Sequence, residues 1–228
     1  MTAASTLLLT SLALASGRTP YQQGVAAFES GNLTNARAWL AEVDVREEPH
    51  AGFLLGVVAE RQRSYVEAVR LFDEYLHRVG PRSDLIPAAR AHRAYCLASA
   101  GHADEVISYL TTAPATPDRP LTFLLGYADL IVAHQAKRPV DRKAAALRAV
   151  TRFTRLTDRP GSEDAEAFNA LGLSHLALAA LDKNSANRTS LKNAATTAFT
   201  RAAALSKEGD PIHQSAMRGS GQAKDLAR

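Results

Sequence analysis

Apolar residues recur along this chain at intervals of three and four and nowhere alternate over a sustained stretch, so the pattern predicts helices and no strands. The first clear start is Thr19-Pro20-Tyr21-Gln22: a threonine N-cap, a proline at the first helical position and a glutamine placed to close a capping box. Gly31-Asn32 stops that helix. A second is expected from near Thr34 to about Arg46, with Ala36, Leu40 and Val43 facing inward. Ser64-Tyr65-Val66-Glu67 reads as another capping box, and its helix offers Ala68, Leu71, Phe72 and Tyr75 to a core before Gly80-Pro81 ends it. Gly101 separates helices around 88–100 and 104–110, the proline-rich stretch 113–120 reads as a linker, and Ser162 is placed to cap a helix opening with Glu163 and Asp164. The expectation is all-α, with about eleven helices.

The helices repeat. Gly24 and Ala36 are twelve residues apart, as are Gly56 and Ala68, and the two glycines are thirty-two apart. A third copy begins at Ala94 with Val106 twelve later, a fourth at Leu124-Leu125-Gly126 and a fifth at Ala170-Leu171-Gly172. Small residues at this spacing fall one on each helix of an antiparallel pair, where two backbones have to approach closely. The last copies are stretched: forty-six residues separate Gly126 from Gly172.

Leu55-Gly56, Tyr65, Ala68-Val69-Arg70-Leu71-Phe72 and Pro81 together resemble the tetratricopeptide repeat family. The fifth copy matches through Leu171-Gly172, Ala195-Thr196-Thr197-Ala198-Phe199 and Pro211, and the first through Gly24, Gly31-Asn32, Ala36 and Leu40. The family's signature Trp is missing, Trp39 lying instead in the second helix of the first copy, and Ala59 stands where a Tyr is usual. The resemblance implies antiparallel hairpins stacked into one curved right-handed α-solenoid over 19–211. A polar tail or short capping helix would follow at 212–228.

The N-terminal stretch, 1–18, reads in two ways. Leu7 to Ala15 has the length of a signal-peptide core, yet no Lys or Arg precedes Gly17, and Leu8, Leu12 and Ala15 fit one face of a capping helix. The compartment expected is cytoplasmic, or exported if this segment is a targeting signal. Asn32-Leu33-Thr34 and Asn187-Arg188-Thr189 match the glycosylation pattern, which matters only in the second case.

Composition narrows the chemistry. One cysteine, Cys96, excludes a disulfide framework and a cysteine-rich zinc site. The net charge of +4 is unevenly spread: residues 1–80 carry nine acids and seven Arg, and the remainder fourteen acids and twenty Lys or Arg. His92 and Cys96, one turn apart, form the pattern of a base beside a nucleophile, but no acid stands in that turn to orient them. The other histidines lack paired metal spacing, and no glycine-rich phosphate loop or nucleophile elbow occurs. No cofactor, metal or enzymatic activity is expected.

Two surfaces carry the functional expectation. Through the resemblance, first-helix residues line a groove for a peptide or partner helix: Phe53, Val57 and Glu60; His92, Tyr95 and Ser99; Phe123, Tyr127 and Ile131; and Asn169 with Leu173. The family's carboxylate clamp requires Lys, Arg and Asn where this chain has Tyr21, Val25 and Phe53, so an aromatic, amphipathic segment is the expected ligand. The second surface is a basic stripe, Arg148, Arg152, Arg155 and Arg159, extended by Lys137, Arg138, Arg142 and Lys143. It reads as a solvated helix face or as a dock for an acidic partner, and no motif beside it points to nucleic acid. The function expected is a non-catalytic protein-interaction scaffold; the alternative is an accessory subunit docking an acidic partner through 137–159.

Overall fold

Thr19 opens the first helix as its residues predict: its hydroxyl accepts from the Gln22 backbone N–H at 3.2 Å, and the Gln22 side chain accepts from the Thr19 N–H at 3.1 Å. The computed structural model describes residues 17–79, 83–113, 118–159 and 161–225. The expected N-terminal capping or targeting segment, and the stop at Gly80-Pro81, therefore lie almost entirely outside the described residues. Among the described residues there are eleven α-helices and no strand. They are α1 (Pro20–Glu29), α2 (Leu33–Ala41), α3 (Pro49–Arg61), α4 (Tyr65–Arg78), α5 (Ile86–Ser99), α6 (Ile107–Thr112), α7 (Arg119–Gln135), α8 (Pro139–Thr157), α9 (Ala165–Leu181), α10 (Ser185–Leu205) and α11 (Pro211–Asp225). A 3-10 turn, Ala103–Val106, leads into α6. No described helix is long and apolar enough to cross a membrane.

The chain divides into two compact units, Met1–Cys96 and Leu97–Arg228. In the first, α1 pairs with α2 and α3 with α4, and α2 also packs on α3. In the second, α7 pairs with α8 and α9 with α10; α9 also packs on α8, and α11 on α9 and α10.

Four hairpins, α1–α2, α3–α4, α7–α8 and α9–α10, are closed by one device. A Cβ built on Gly24 would lie 2.6 Å from the Leu40 side chain, and one on Gly56 2.6 Å from the Phe72 ring. The same holds for Gly126 against Phe153 at 2.5 Å and Gly172 against Phe199 at 2.6 Å. The close approach is thus glycine against a large side chain one turn beyond the small residue, and not the glycine–alanine contact that the twelve-residue spacing suggests. The alanines Ala36, Ala68, Ala149 and Ala195 are fully buried beside it. Phe199 is pinched twice, since a Cβ built on Gly219 of α11 would also lie 2.4 Å from its ring. Such a ring has no room to move, and truncating a buried Phe to Ala costs about 3–5 kcal/mol through lost transfer energy and the cavity left. Ala149 to Phe153 repeats the Ala-x-x-x-Phe pattern, so the fourth copy carries the same match, displaced by its longer spacing from Gly126.

Hairpin turns follow the repeat as well. Gly31, with φ +77°, and Arg63, with φ +60°, occupy the same left-handed position thirty-two residues apart. In both, a backbone N–H one residue on closes the helix: Asn32 N–H to Ala27 C=O and Ser64 N–H to Ala59 C=O, each 2.9 Å.

Three boundaries differ from expectation. α2 ends at Ala41 because Asp44 begins a turn, its carboxylate accepting from the Arg46 N–H at 2.9 Å, and the chain is diverted before Pro49. Ser64 makes no side-chain cap: Glu67, the residue meant to complete that box, instead accepts from Arg37 of α2 at 2.5 Å. Asp164, not Ser162, caps α9 through the Ala167 N–H at 3.0 Å, while the Ser162 hydroxyl donates to Leu156 C=O. At the C-terminus, Pro211 opens a helix of 15 residues that buries Ala216, Gly219 and Ala223.

Candidate functional site

In the first unit, α3 and α5 bring Phe53, Val57, Glu60, His92 and Tyr95 into one packed cluster. Phe53 sits among the rings of Phe72, Tyr75 and His92, with centroids 5.9, 5.7 and 5.7 Å away, and His92 stacks on Phe72 at 5.5 Å. Val57 is buried, and Tyr95 meets Tyr65 edge-on at 6.1 Å. At the centre, Glu60 Oε2 accepts from His92 Nδ1 at 2.7 Å and from the Cys96 thiol at 3.3 Å. The acid absent from the His92 turn is therefore supplied by α3. Glu60 and His92 are thirty-two residues apart, the glycine period, so equivalent positions of successive first helices meet.

This arrangement does not activate the thiol. Burial pushes the Cys96 thiol far up, and the Glu60 carboxylate pushes it further, both by charge and by holding the S–H proton. A nucleophile requires the opposite. The cluster ties α3 to α5. Among the described residues no group of His, Cys, Asp and Glu is arranged to hold a metal ion.

In the second unit, α7 carries Phe123 and Tyr127, whose rings each lie 5.5 Å from Phe153, and the Arg119 guanidinium covers Phe123 at 4.2 Å. Arg119 also binds Asp164 at 2.5 and 2.9 Å; burial alone would raise that carboxyl, but Arg119 and the Ala167 N–H outweigh it and hold it below its ordinary value. Ile131 is half-buried. Asn169 is buried on α9, and its amide donates to the Ser215 hydroxyl at 3.2 Å, forty-six residues on. Leu173 is partly buried against the Phe199 core, and Ser99, half-buried, ends α5.

The basic stripe is largely consumed by its own fold. Asp129 of α7 is wholly buried and accepts from Arg148 Nε and Arg152 Nε, both at 2.8 Å. Arg152, itself buried, also donates to Leu110 C=O at 2.9 Å. Burial pushes the Asp129 carboxyl up, and the two guanidinium groups pull it back. Arg148 and Arg152 thus do not belong to a solvated face: they lie over a carboxylate that the spacing on their own helix does not reveal. Arg142 donates to Ala133 C=O at 3.0 Å, Lys143 pairs with Asp182 at 3.3 Å and Arg138 with Asp141. Arg155 and Arg159 are exposed, and Arg155 has no acidic partner among the described residues. Asp129 is the residue that sequence reasoning missed. Its signal was a lone acid within Leu121-Thr122-Phe123-Leu124-Leu125-Gly126-Tyr127-Ala128-Asp129-Leu130-Ile131-Val132, a stretch with no other charge.

The hairpins, repeating at thirty-two and then at forty-six residues around glycines that each face a large apolar side chain, define an all-α helical-repeat protein. No protein-family model and no curated protein matches the chain. A solved structure of a TPR repeats protein from Bacteroides fragilis is similar at 17% identity and a TM-score of 0.39, covering 91% of this chain and 97% of that one.

Proposed function

We propose that this helical-repeat protein, of the tetratricopeptide kind, is a non-catalytic scaffold that holds a peptide or amphipathic helix of another protein against its first helices. The observation that supports this reading is the state of three aromatic residues. Phe53, Tyr95 and Tyr127 each stay partly exposed on a first helix, and neighbouring rings hold Phe53 and Tyr127 in place. A fixed aromatic side chain at a surface offers a large contact area and has little rotamer freedom left to lose on binding. The polar groups nearest to it are committed to helix-to-helix bonds, and the one thiol is held protonated.

The test begins with affinity capture from the native host and identification of what co-purifies. Tyr95→Ala and Tyr127→Ala are each expected to weaken binding of the captured protein by about 1–3 kcal/mol, with helical content by circular dichroism unchanged. A partner bound equally well by both variants overturns the groove reading.

The second reading, an accessory subunit docking an acidic partner through 137–159, is favoured by one observation: Arg155 lies exposed and unpaired beside two arginines already fixed on Asp129.

A further inference from the structure

The outer face of α8 carries two adjoining clefts that share Leu147. The first is mainly apolar, formed by Val140, Ala144 and Leu147 of α8 with Leu181 at the end of α9, and is bordered by the paired Lys143 and Asp182 and by Lys183. The second is a cleft of about 270 Å³ between α8 and the end of α6, formed by Leu110, Leu147 and Thr151 together with Arg148, Arg152 and Arg155. Val140, Ala144, Leu147, Thr151 and Arg155 follow one another at intervals of three and four, so they make one stripe along the helix. This stripe is apolar at its N-terminal end and cationic at its C-terminal end.

The apolar end is open. Val140 is 67% exposed and Leu147 48% exposed, two of the few large apolar side chains left at the surface. The cationic end is both charged and fixed. Three guanidinium groups line or border the cleft and one buried carboxylate, Asp129, stands among them, which leaves a net charge of +2. Asp129 and Leu110 C=O hold Arg148 and Arg152 in place, while Arg155 is free to take a ligand. A positive field on a preorganised support, next to exposed aliphatic carbons, suits a ligand that carries both carboxylates and apolar side chains. A nucleic acid would meet the charge but has nothing to place on Val140 and Leu147. The stripe runs over sixteen residues, fifteen steps of 1.5 Å or about 22 Å, which is the length of a four-turn helix.

We propose that this face of α8 is the docking site for a short acidic amphipathic helix of a partner protein, its apolar side chains on Val140 and Leu147 and its carboxylates on Arg155. The proposal rests on the second reading above and gives that partner its chemistry.

The experiment uses the full chain and a fluorescein-labelled sixteen-residue peptide with Leu at helical three- and four-residue spacing and Glu on the flanking positions, followed by fluorescence anisotropy. Saturable binding is expected, weakened about tenfold or more by Arg155→Glu and by Leu147→Glu, with thermal melting of both variants unchanged because both side chains are exposed. A scrambled peptide of equal composition, and one with Gln for Glu, should each bind about tenfold more weakly. Loss with Arg155→Glu but not with Leu147→Glu overturns the amphipathic ligand and keeps an acidic partner on the basic helix. Indifference to both substitutions, or no saturation up to about 1 mM peptide, overturns both. A single-stranded oligonucleotide of sixteen bases that binds more tightly and displaces the peptide would make the face a nucleic-acid surface and also overturn the proposal.

Discussion

The two units solve one packing problem at two lengths. In the first, Gly56 and the ring that fills its notch, Phe72, are sixteen residues apart, as are Gly24 and Leu40; in the second, Gly126 and Phe153 are twenty-seven apart, as are Gly172 and Phe199. The difference of eleven residues is about three helical turns, so the longer hairpins gain length without rotating either helix out of contact. Helices of 9 to 14 residues in the first two hairpins become helices of 17 to 21 in the long ones. A period of helical contact can therefore be kept while the period of the sequence changes.

The units also differ in how they bury charge. The first places a half-buried carboxylate, Glu60, between an imidazole and a thiol; the second places a wholly buried one, Asp129, between two guanidinium groups. The largest expected effect follows from this contrast. Asp129→Ala leaves two cations without their counter-charge and should destabilise the second unit by about 3–5 kcal/mol. Glu60→Ala removes hydrogen bonds from a half-buried imidazole and a buried thiol, leaves no buried cation without its counter-charge, and should cost only about 1–2 kcal/mol. Urea denaturation of both variants checks the order, and a larger loss for Glu60→Ala would break the comparison.

Next in size is the fill of the notch. Gly172→Ala drives a methyl into an aromatic ring already pinched by Gly219, and should cost about 1–3 kcal/mol despite the better helix propensity of alanine. Gly24→Ala meets the Cγ and Cδ2 of a buried leucine in place of a ring pinched twice, and with about 1 kcal/mol of propensity gain offsetting part of the clash it should cost less than Gly172→Ala. Thermal melting of the pair distinguishes them, and equal losses would mean that the ring and the leucine yield alike.

The smallest effect is a gain. Arg63 is exposed and holds the left-handed conformation that glycine supplies at position 31. Arg63→Gly should stabilise the α3–α4 hairpin by about 0.5–1 kcal/mol, the relief of left-handed strain less the added freedom of the unfolded chain. A loss on melting would show that the arginine side chain contributes more at the turn than its backbone costs.

How much of this was legible depends on the range of the interaction. Thr19 and Gln22 are three residues apart, and their capping box was readable because both partners stand in one turn. The helices, the glycine positions and the burial of Phe72 follow from spacing within single elements. Ser64 looked equally well placed, but its partner Glu67 is drawn off by Arg37, thirty residues back. The basic stripe failed in the same way: Arg148 and Arg152 are regularly spaced on one helix, and the carboxylate that explains them lies nineteen and twenty-three residues earlier on another. His92 and Glu60 could have been paired from the repeat itself, since their separation equals its period. The same arithmetic sets Asp129 and His175 forty-six apart, with Ala194 and Ala198 where Arg148 and Arg152 would fall, so the fifth copy sets a half-buried imidazole in place of the ion cluster. Burial accordingly lowers the His175 pKa.

The glycine notch also fixes an order of descent. A glycine under a leucine, as at Gly24 and Leu40, accepts a later change of the leucine to phenylalanine, because the space already exists. A small residue with a Cβ at that position closes the route, since the ring would have nowhere to go. In any lineage of such hairpins glycine has to arrive before the aromatic residue and leave after it. The first hairpin, with its leucine, has the form from which the second, of equal length, can be reached by a single substitution at the filling residue.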